Sequence, residues 1–573
     1  LFFVSCFSPF FRLCVLSHPP PALLRSAQAT AKALTAAGFE VEALDADILV
    51  VRLALDLGKT ELARETLKRA RRCRSQGPVQ LRSRAWHAEA LLRLAEGNRQ
   101  GAETALRAGM GVIERYRAAL GATELRAEAS GHVIELAQLG LQLALEDGRA
   151  ARVLVWAERS KAGSLRLRPA RPPDDPQLAE DLATLRAVVS ELDAGTVPGR
   201  SRARLVARQS RLEESVRSRS RHASGVLAAS LAGSPSPRLL LGALGDRALV
   251  EMACHDGRLY AVVGVGGRAR LHRLAGEAEV ALELDRLRFS LRRAASGQGS
   301  PAARAAAVQA AEYGARRLDE LLLAPLAADI GDRPLVVVPT SVLHALPWSV
   351  LPFCQGRPVT VAPSAGMWHA ATVAGGGFEP GRRVLVAGPG LEHAEEEVDV
   401  LADVYEGAQR LVGPDATCEA VCRALEGAEL AHIASHGRFR ADNPLFSSIQ
   451  LADGRLTVYD LERLRRPPRT VVLSSCDSGM SDVRPGDELM GLAAAVLGMG
   501  TRSLVASVFP VPDDATRNLM LAFHAQLREG ATTSEALAEA QGNCRMSSSL
   551  SLAACAGFVA FGGDSVVDRS DGH

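Results

Sequence analysis

The spacing of hydrophobic positions changes about 236 residues into the chain. From residue 27 to about residue 165, apolar residues recur every three to four positions, which is the period of amphipathic helices. Further on, continuous apolar runs alternate with helical stretches; these runs are 333–339, 382–390, 428–435, 469–476, 501–509 and 557–563. Such runs are typical of strands that are buried on both faces. The pattern predicts a helical region followed by an α/β domain with a mostly parallel sheet flanked by helices.

Two segments of the helical region share a spacing of small residues. The small residues lie at offsets 0, 5 and 12, and they are Gly58, Ala63 and Ala70 in one segment and Gly97, Ala102 and Gly109 in the other. A glycine in a turn, followed by small residues where helices pack closely, is typical of stacked helix–turn–helix units. A degenerate third copy surrounds Gly148. The pattern resembles tetratricopeptide repeats, with a generic helical bundle as the alternative.

We predict four segments along the chain. Residues 1–26 are an apolar extension that is either a signal peptide or an artefact of a truncated or misassigned start, and we expect it to lie outside the fold. Residues 27–165 hold the helical repeats. Residues 166–235 combine a Pro-rich break with a densely charged helical hairpin, and we expect a solvated linker with few apolar anchors. Residues 236–567 form the α/β domain.

Composition narrows the classes of function. A chain of 573 residues is too long for a single hydrophobic core. Its formal net charge of +2 indicates neither a nucleic-acid partner nor binding to a membrane surface. No later run is long and apolar enough to span a bilayer. The ten cysteines include no CxxC pair and no zinc-ligand spacing, and no glycine loop has the lysine that phosphate binding needs. We therefore expect no metal, no organic cofactor and a reducing, cytoplasmic location.

Two strand ends carry the candidate chemistry. His436 follows the apolar run 428–435, and Cys476 ends the run 469–476. Ligands of open parallel sheets bind outside the carboxyl ends of the strands, and neighbouring strands lie about 5 Å apart. An imidazole beside a thiol stabilises the attacking thiolate and can then protonate the leaving amine. We predict thiol-mediated acyl transfer, with oxyanion-hole N–H groups from Gly437 and Cys476. The alternative is that both side chains are ordinary core residues.

Several segments of the second half resemble a CHAT domain, a caspase-like cysteine peptidase domain that is related to separase and usually follows tetratricopeptide repeats. The segments are HIASHGRF, NPLFSSIQLADG, VVLSSCDSG, GDELMGLAAAVLGMGTRSLVASVFPVPDD and EALAEAQ. VVVPTSVLHALPWSVL, PSAGMW and AERSKAGSL resemble the same family, so the resemblance extends in order from residue 157 to residue 563.

The resemblance implies roles for individual residues. It implies that His436 is the catalytic histidine and Cys476 the nucleophile, with His432 as a supporting core residue. Asp513 matches an acidic position that contacts a basic P1 side chain in separase-type relatives. Asp477 and Ser478 stand where a Glu-Thr pair is more frequent, which keeps an acid and a hydroxyl.

The predicted function is a cysteine endopeptidase that cleaves a protein substrate and is regulated by a protein partner at the repeats. Two alternatives stay open at this point. One is a catalytically silent scaffold that keeps the fold, and the other is a Cys/His amidase or acyltransferase.

Overall fold

A computed structural model of the chain describes residues 20–120, 123–161, 165, 175–193, 199–221, 235–296, 300–373, 379–474, 482–484, 488–511, 513–544 and 549–567. The chain divides into two compact units. The first contains the residues up to Arg117 together with Glu128–Leu143, and the second contains Ala118–Ala127 together with the residues from Ala144 onward.

The described part of the first unit is helical. Its helices are α1 (Pro21–Ala36), α2 (Glu40–Asp56), α3 (Thr60–Arg69), α4 (Val79–Ala95), α5 (Arg99–Ala119) and, after the short α6 (Thr123–Ser130), most of α7 (Ile134–Glu146). Gly58 joins α2 to α3 and Gly97 joins α4 to α5, each with a positive φ, of 70° and 75°. Such a φ strains residues with a Cβ, which explains a glycine in both turns. The predicted helix–turn–helix pairs are confirmed.

The small residues that follow these turns lie at close helix contacts. Ala63, Ala70 and Ala102 are fully buried. A Cβ on Gly109 would lie 2.9 Å from carbon atoms of both Leu136 and Trp86. The repeated offsets therefore reflect helix packing.

The predicted boundary at residue 26 is wrong for its last residues. Helix α1 begins at Pro21, and Leu24 is 3% exposed in the core of the first unit. The apolar residues from Pro21 onward thus belong to an ordinary amphipathic helix. Residues 1–19 lie outside the described part of the chain.

The second unit contains helices that surround strands. Its helices are α8 (Ala150–Ser160), α9 (Pro176–Asp193), α10 (Gly199–Arg221), α11 (Pro237–Gly242), α12 (Glu277–Ala295), α13 (Pro301–Leu322), α14 (Ala327–Ile330), α15 (Ala365–Val373), α16 (Ala394–Val404), α17 (Cys418–Leu425), α18 (Val458–Leu461), α19 (Leu492–Met499), α20 (Asp513–Arg528), α21 (Thr533–Cys544) and α22 (Ser549–Gly557).

The strands of the second unit form one large sheet and two small ones. The strands are β1 (Ala248–His255), β2 (Arg258–Val265), β3 (Arg268–Gly276), β4 (Leu335–Val338), β5 (Val359–Val361), β6 (Glu379–Ala387), β7 (Gln409–Leu411), β8 (Ala428–Ala434), β9 (Gly437–Arg438), β10 (Ser448–Leu451), β11 (Gly454–Thr457), β12 (Thr470–Ser474), β13 (Asp482–Arg484), β14 (Glu488–Met490), β15 (Ser503–Ser507) and β16 (Phe558–Gly562). The large sheet has the order β3-β2-β1-β4-β5-β16-β15-β12-β8-β6-β7. One small sheet contains β11, β10 and β9 in that order, and the other pairs β13 with β14.

Apart from β2 and β3, which pair antiparallel beside β1, the large sheet consists of two parallel halves that run in opposite directions. Strands β1, β4, β5 and β16 are parallel to one another. Strands β15, β12, β8, β6 and β7 are also parallel to one another, but β15 pairs with β16 antiparallel. The carboxyl ends of the two halves therefore lie at opposite edges of the sheet. The predicted α/β fold with a mostly parallel sheet is confirmed.

Both faces of the second half are covered, as continuous apolar runs require. On β8, Leu430 belongs to a cluster that includes Phe523 of α20. The neighbouring Ala431 belongs to the main core on the other face, together with Val421 of α17. Side chains alternate between faces along a strand, so every position of β8 is buried.

The charged hairpin of α9 and α10 is part of this core. Leu178, Leu182, Leu185 and Val216 are buried within the main cluster of the second unit. Arg186 of α9 also forms an ion pair with Asp460 at 3.0 Å. The expectation of a solvated hairpin with few apolar anchors is wrong, because apolar residues at helical spacing anchor it despite its charge.

A buried ion cluster closes the carboxyl end of β4 beside the middle of β1. Lys161, which follows α8, is 1% exposed; its Nζ lies 2.9 Å from Oε1 of Glu251 and donates to the carbonyls of Met252 and, at 3.3 Å, Val338. Burial raises the pKa of Glu251 to about 8. The three protons of the ammonium thus have three acceptors.

Glu158, one turn before Lys161, holds the start of α15. Its carboxylate accepts hydrogen bonds from the N–H groups of Ala365, at 2.6 Å, and Gly366, at 2.9 Å. Anionic groups stabilise the positive end of a helix dipole.

Within the described residues, no helix is long and apolar enough to cross a membrane.

Candidate active site

The candidate site begins where β8 and β12 end side by side. The two strands are parallel, and their last paired residues are Ala434 and Ser474. The N–H of Ser435 still donates to the carbonyl of Ser474 at 3.3 Å. In sequence, His436 and Cys476 each come two residues after this last pair. The register therefore brings the segments that carry both residues to one edge of the sheet.

His436 is exposed at this edge, and a backbone group fixes its ring. Nε2 lies 3.1 Å from the carbonyl oxygen of Gly390, in the loop after β6. A carbonyl only accepts hydrogen bonds, so Nε2 carries the proton in this contact and Nδ1 of the neutral ring keeps a lone pair. The ring is thus prepared to accept a proton at Nδ1.

The loop after β6 approaches His436 because it starts with a glycine. The N–H of Gly388 donates to the carbonyl of Ala434 at 2.8 Å. A Cβ on Gly388 would lie 2.2 Å from Oγ of Ser435 and 2.5 Å from the carbonyl oxygen of Gln450. No side chain fits there without displacing backbone. Gly390, two residues further, has a φ of 84°.

Gly437 starts β9, and the strand pairing orients its N–H group. The N–H of Gln450 donates to the carbonyl of His436 at 2.8 Å, and the next pair is Gly437 with Ile449. Hydrogen-bonded and non-hydrogen-bonded pairs alternate in an antiparallel ladder, so the N–H of Gly437 points away from β10.

The structure does not describe every predicted site residue. Cys476, Asp477 and Ser478 lie outside the described residues. Asp513 is the first residue of α20, which follows β15, and its side chain lies outside the described part as well. Because β15 is parallel to β12, its carboxyl end lies at the same edge as that of β12.

Two groups at this edge were missed by reasoning from sequence. One is the carbonyl of Gly390, and a backbone acceptor has no sequence signal of its own. The other is His393, whose Nε2 lies 3.5 Å from a carboxylate oxygen of Asp514 and whose Nδ1 lies 3.6 Å from Glu396. His393 directly precedes α16 and lies six residues after β6, so it has no strand-end position that reasoning from sequence could have used.

His432 lies beneath the edge in a row of buried polar groups. Its Nε2 is 2.8 Å from Oε1 of Glu397, and its Nδ1 is 3.0 Å from Nε2 of His524. Nδ1 of His524 lies 3.0 Å from the hydroxyl of Tyr405. We call these four residues the buried relay. Burial, assisted by His432, lowers the pKa of His524 well below its usual value, so this ring is neutral.

A cavity of about 340 Å³ adjoins the strand that leaves His436. Its walls come from the hairpin, through Leu185, Arg186 and Glu213, and from Arg438 and Arg440 at and beyond β9. Arg438 is two residues from His436, and its side chain is 58% exposed. The cavity is wide enough to admit a side chain of a bound peptide.

Among the described residues, no group of three His, Cys, Asp or Glu side chains could hold a metal ion.

Comparison with known proteins agrees with this architecture. The family model of the CHAT domain matches residues 313–563, which lie in the second unit. Tetratricopeptide repeat protein 28 of Homo sapiens is 30% identical over 213 residues, covering 30% of this chain and 8% of that protein. Its Mus musculus counterpart is also 30% identical over 213 residues, covering 30% of this chain and 9% of that protein. The chain spans less than a tenth of the length of these curated relatives.

Solved structures that align with this chain include two of the Saccharomyces cerevisiae separase–securin complex. One has a TM-score of 0.46 at 10% identity and covers 91% of this chain and 50% of that one. The other has a TM-score of 0.44 at 8% identity, with 91% and 53% covered. At TM-scores below 0.5, neither likeness supports a conclusion about function.

Proposed function

We propose that the CHAT domain of this chain is a caspase-like cysteine endopeptidase in which Cys476 is the nucleophile and His436 its proton acceptor. The observation that carries this proposal is the register of β8 and β12. Each candidate residue follows the last pair, Ala434 with Ser474, by two positions. The CHAT match supports the same assignment.

The chemistry follows from the orientation of His436. With Nε2–H held by the carbonyl of Gly390, Nδ1 takes the proton of the Cys476 thiol. The thiolate attacks the carbonyl carbon of the scissile amide, a C–S bond forms, and the imidazolium gives its proton to the amine as the C–N bond breaks. Water then attacks the thioester, the same imidazole removes a proton from that water, and the thiol is regenerated as the acid leaves.

Two backbone N–H groups are proposed to stabilise the negative oxygen of the tetrahedral intermediate. They belong to Gly437 and Cys476. The N–H of Gly437 is directed away from β10 by the alternation of the ladder, and donors of this kind contribute most when they are fixed before the reaction.

The proposed substrate is a protein that is cut after a basic residue. Asp513 is proposed to bind the basic P1 side chain because it follows β15 at the edge where β8 and β12 end. The helical repeats are proposed to bind a protein that controls the peptidase, since stacked helical pairs offer an extended binding surface. The free, scattered cysteines among the described residues favour a reducing cytoplasm.

The test is cleavage of a cell-lysate proteome by the purified chain, with new N-termini identified by mass spectrometry. We expect cleavage that disappears in Cys476→Ala and in His436→Gln and persists in the control Cys422→Ala, whose cysteine lies on α17 away from the edge. Cleavage that survives in Cys476→Ala contradicts the proposal. Turnover of small amides alone, dependent on Cys476, favours an amidase. Partner capture without any cleavage favours a scaffold.

A further inference from the structure

The buried relay connects the two ends of α16 to β8 and α20 through polar side chains. A neutral imidazole donates through one ring nitrogen and accepts through the other. Hydrogen bonds join the hydroxyl of Tyr405 to Nδ1 of His524 and Nε2 of His524 to Nδ1 of His432, and Nε2 of His432 lies in ion-pair contact with Oε1 of Glu397 at 2.8 Å. The carboxylate of Glu397 ends the series because it only accepts.

The relay holds helix α16 near both of its ends. Glu397 lies in the first turn of α16, and Tyr405 directly follows its last residue, Val404. Eight residues of α-helix separate them, a length of about 12 Å. All four members are at most 3% exposed. Helix α16 is thereby tied to β8 through His432 and to α20 through His524.

The same helix carries the loop that orients His436. The N–H of Glu397 donates to the carbonyl of His393 at 2.9 Å, and Gly390 lies three residues before His393. The carbonyl of Gly390 receives Nε2–H of His436. A shift of the first turn of α16 therefore moves the one acceptor that selects the tautomer of His436.

We propose that Glu397, His432, His524 and Tyr405 are positioning residues that fix the ring of His436 through α16 and the Gly390 loop. The effect of this positioning on cleavage rests on the proposed peptidase function. The tautomer of the His436 ring does not depend on that function. A merely structural relay would contribute to stability and leave that ring unchanged.

The first experiment measures the tautomer of His436 without requiring activity. The full chain with Cys476→Ala is labelled with ¹⁵N-histidine, and the ring signals of His436 are identified by their loss in His436→Gln. At pH 8 we expect the Nε2–H form to dominate. In Glu397→Gln the ratio of Nε2–H to Nδ1–H forms should fall by about fivefold to tenfold, the equivalent of one net hydrogen bond. Tyr405→Phe, at the far end of the relay, should cause a smaller fall.

A matched control separates positioning from loss of stability. Thr470→Val removes the buried hydrogen bond between Thr470 and Ser565, 2.8 Å long, without touching α16. It should leave the His436 ratio unchanged. An unchanged ratio in Glu397→Gln, or an equal change in Thr470→Val, overturns the proposal. Both variants preserve side-chain volume, and Tyr405→Phe provides a second folded variant.

The second experiment uses turnover. In the otherwise unmodified chain, Glu397→Gln should lower kcat and leave KM unchanged, because His436 acts on the reacting atoms and the relay does not contact substrate. A changed KM with an unchanged kcat contradicts the proposal. Absence of any Cys476-dependent cleavage in the parent contradicts the peptidase function alone, and the tautomer ratio still decides the role of the relay.

Discussion

The two halves of the large sheet end in two different kinds of crevice. At the carboxyl end of β4, beside the middle of β1, Lys161 fills the crevice and is 1% exposed, with Glu251 and two strand carbonyls as its partners. At the carboxyl ends of β8 and β12, on the opposite edge, His436 is exposed and its ring contacts the carbonyl of Gly390. The backbone geometry of parallel strands is common to both crevices.

The difference lies in what the following segments supply. Lys161 follows α8, far from β1 in sequence, and its ammonium satisfies one carbonyl in the middle of β1 and one at the end of β4. The open crevice instead keeps a glycine loop, with Gly388 and Gly390, against the end of β8. A strand-end crevice thus becomes structural when a charged side chain closes it. It stays available for chemistry when small residues leave it accessible.

The largest expected effect comes from opening the closed crevice. Lys161→Met leaves the carbonyls of Met252 and Val338 and the carboxyl group of Glu251 without their cation. The free energy of unfolding of the second unit should fall by about 3 kcal/mol or more, as for other buried pairs that lose one member. Urea unfolding followed by the fluorescence of the buried Trp348 and Trp368 measures the fall.

The control for this prediction is Lys68→Met, which changes a lysine in the first unit and should leave the transition of the second unit in place. A midpoint of Lys161→Met equal to that of the parent would show that the closed crevice does not depend on the ammonium.

The next effect concerns specificity in the open crevice. Asp513→Ala should weaken cleavage after arginine by about a hundredfold, or about 2.7 kcal/mol, because a partly desolvated arginine loses its carboxylate. Alkylation of Cys476 by a small reagent should be unaffected. Rates on matched peptides with Arg or Leu at P1 measure the change. Asp514→Ala serves as control, since Asp514 is 76% exposed and faces His393. Equal cleavage after arginine by parent and Asp513→Ala would remove Asp513 from the specificity pocket.

A third effect is a pH dependence of the closed crevice. Burial raises the pKa of Glu251 from 4.5 to about 8, so the folded chain keeps a proton that the unfolded chain loses above pH 4.5. This contribution to stability is complete below pH 4.5 and is lost as the pH rises through 8. The slope reaches about 1.4 kcal/mol per pH unit. Glu251→Gln should remove it.

The measurement is the difference in unfolding free energy between parent and Glu251→Gln from pH 5 to pH 9, in which other titrating groups cancel. A difference that does not vary with pH would mean that Glu251 titrates normally.

The sequence predicted most strands of the parallel halves of the large sheet, but not that the two halves run in opposite directions. Six continuous apolar runs correspond to β4, β6, β8, β12, β15 and β16, and these predictions are confirmed. Strands β5 and β7 have three residues each, too few for a periodic pattern. Hydrophobic spacing is the same for parallel and antiparallel strands, so it could not predict that β15 pairs antiparallel with β16.

The α9–α10 hairpin shows an error of a different origin. Leu178, Leu182 and Leu185 follow helical spacing that the sequence displays, and the dense charge around them obscured it. For the site, the strand-end position of His436 was visible in sequence, while its catalytic role and that of Cys476 stay predictions. The relay could not be predicted, because Tyr405 and His524 are 119 residues apart and no local pattern connects them.

The position of β16 has a consequence for synthesis of the protein. This strand lies between β5 and β15, so it alone joins the two halves of the sheet by hydrogen bonds. Among the strands of the described residues, β16 (558–562) is also the last to leave the ribosome. A nascent chain that has emerged only as far as α22 holds two unjoined half-sheets. Joining of the halves, and with it the completed edge around His436, is thereby postponed until translation has passed residue 562.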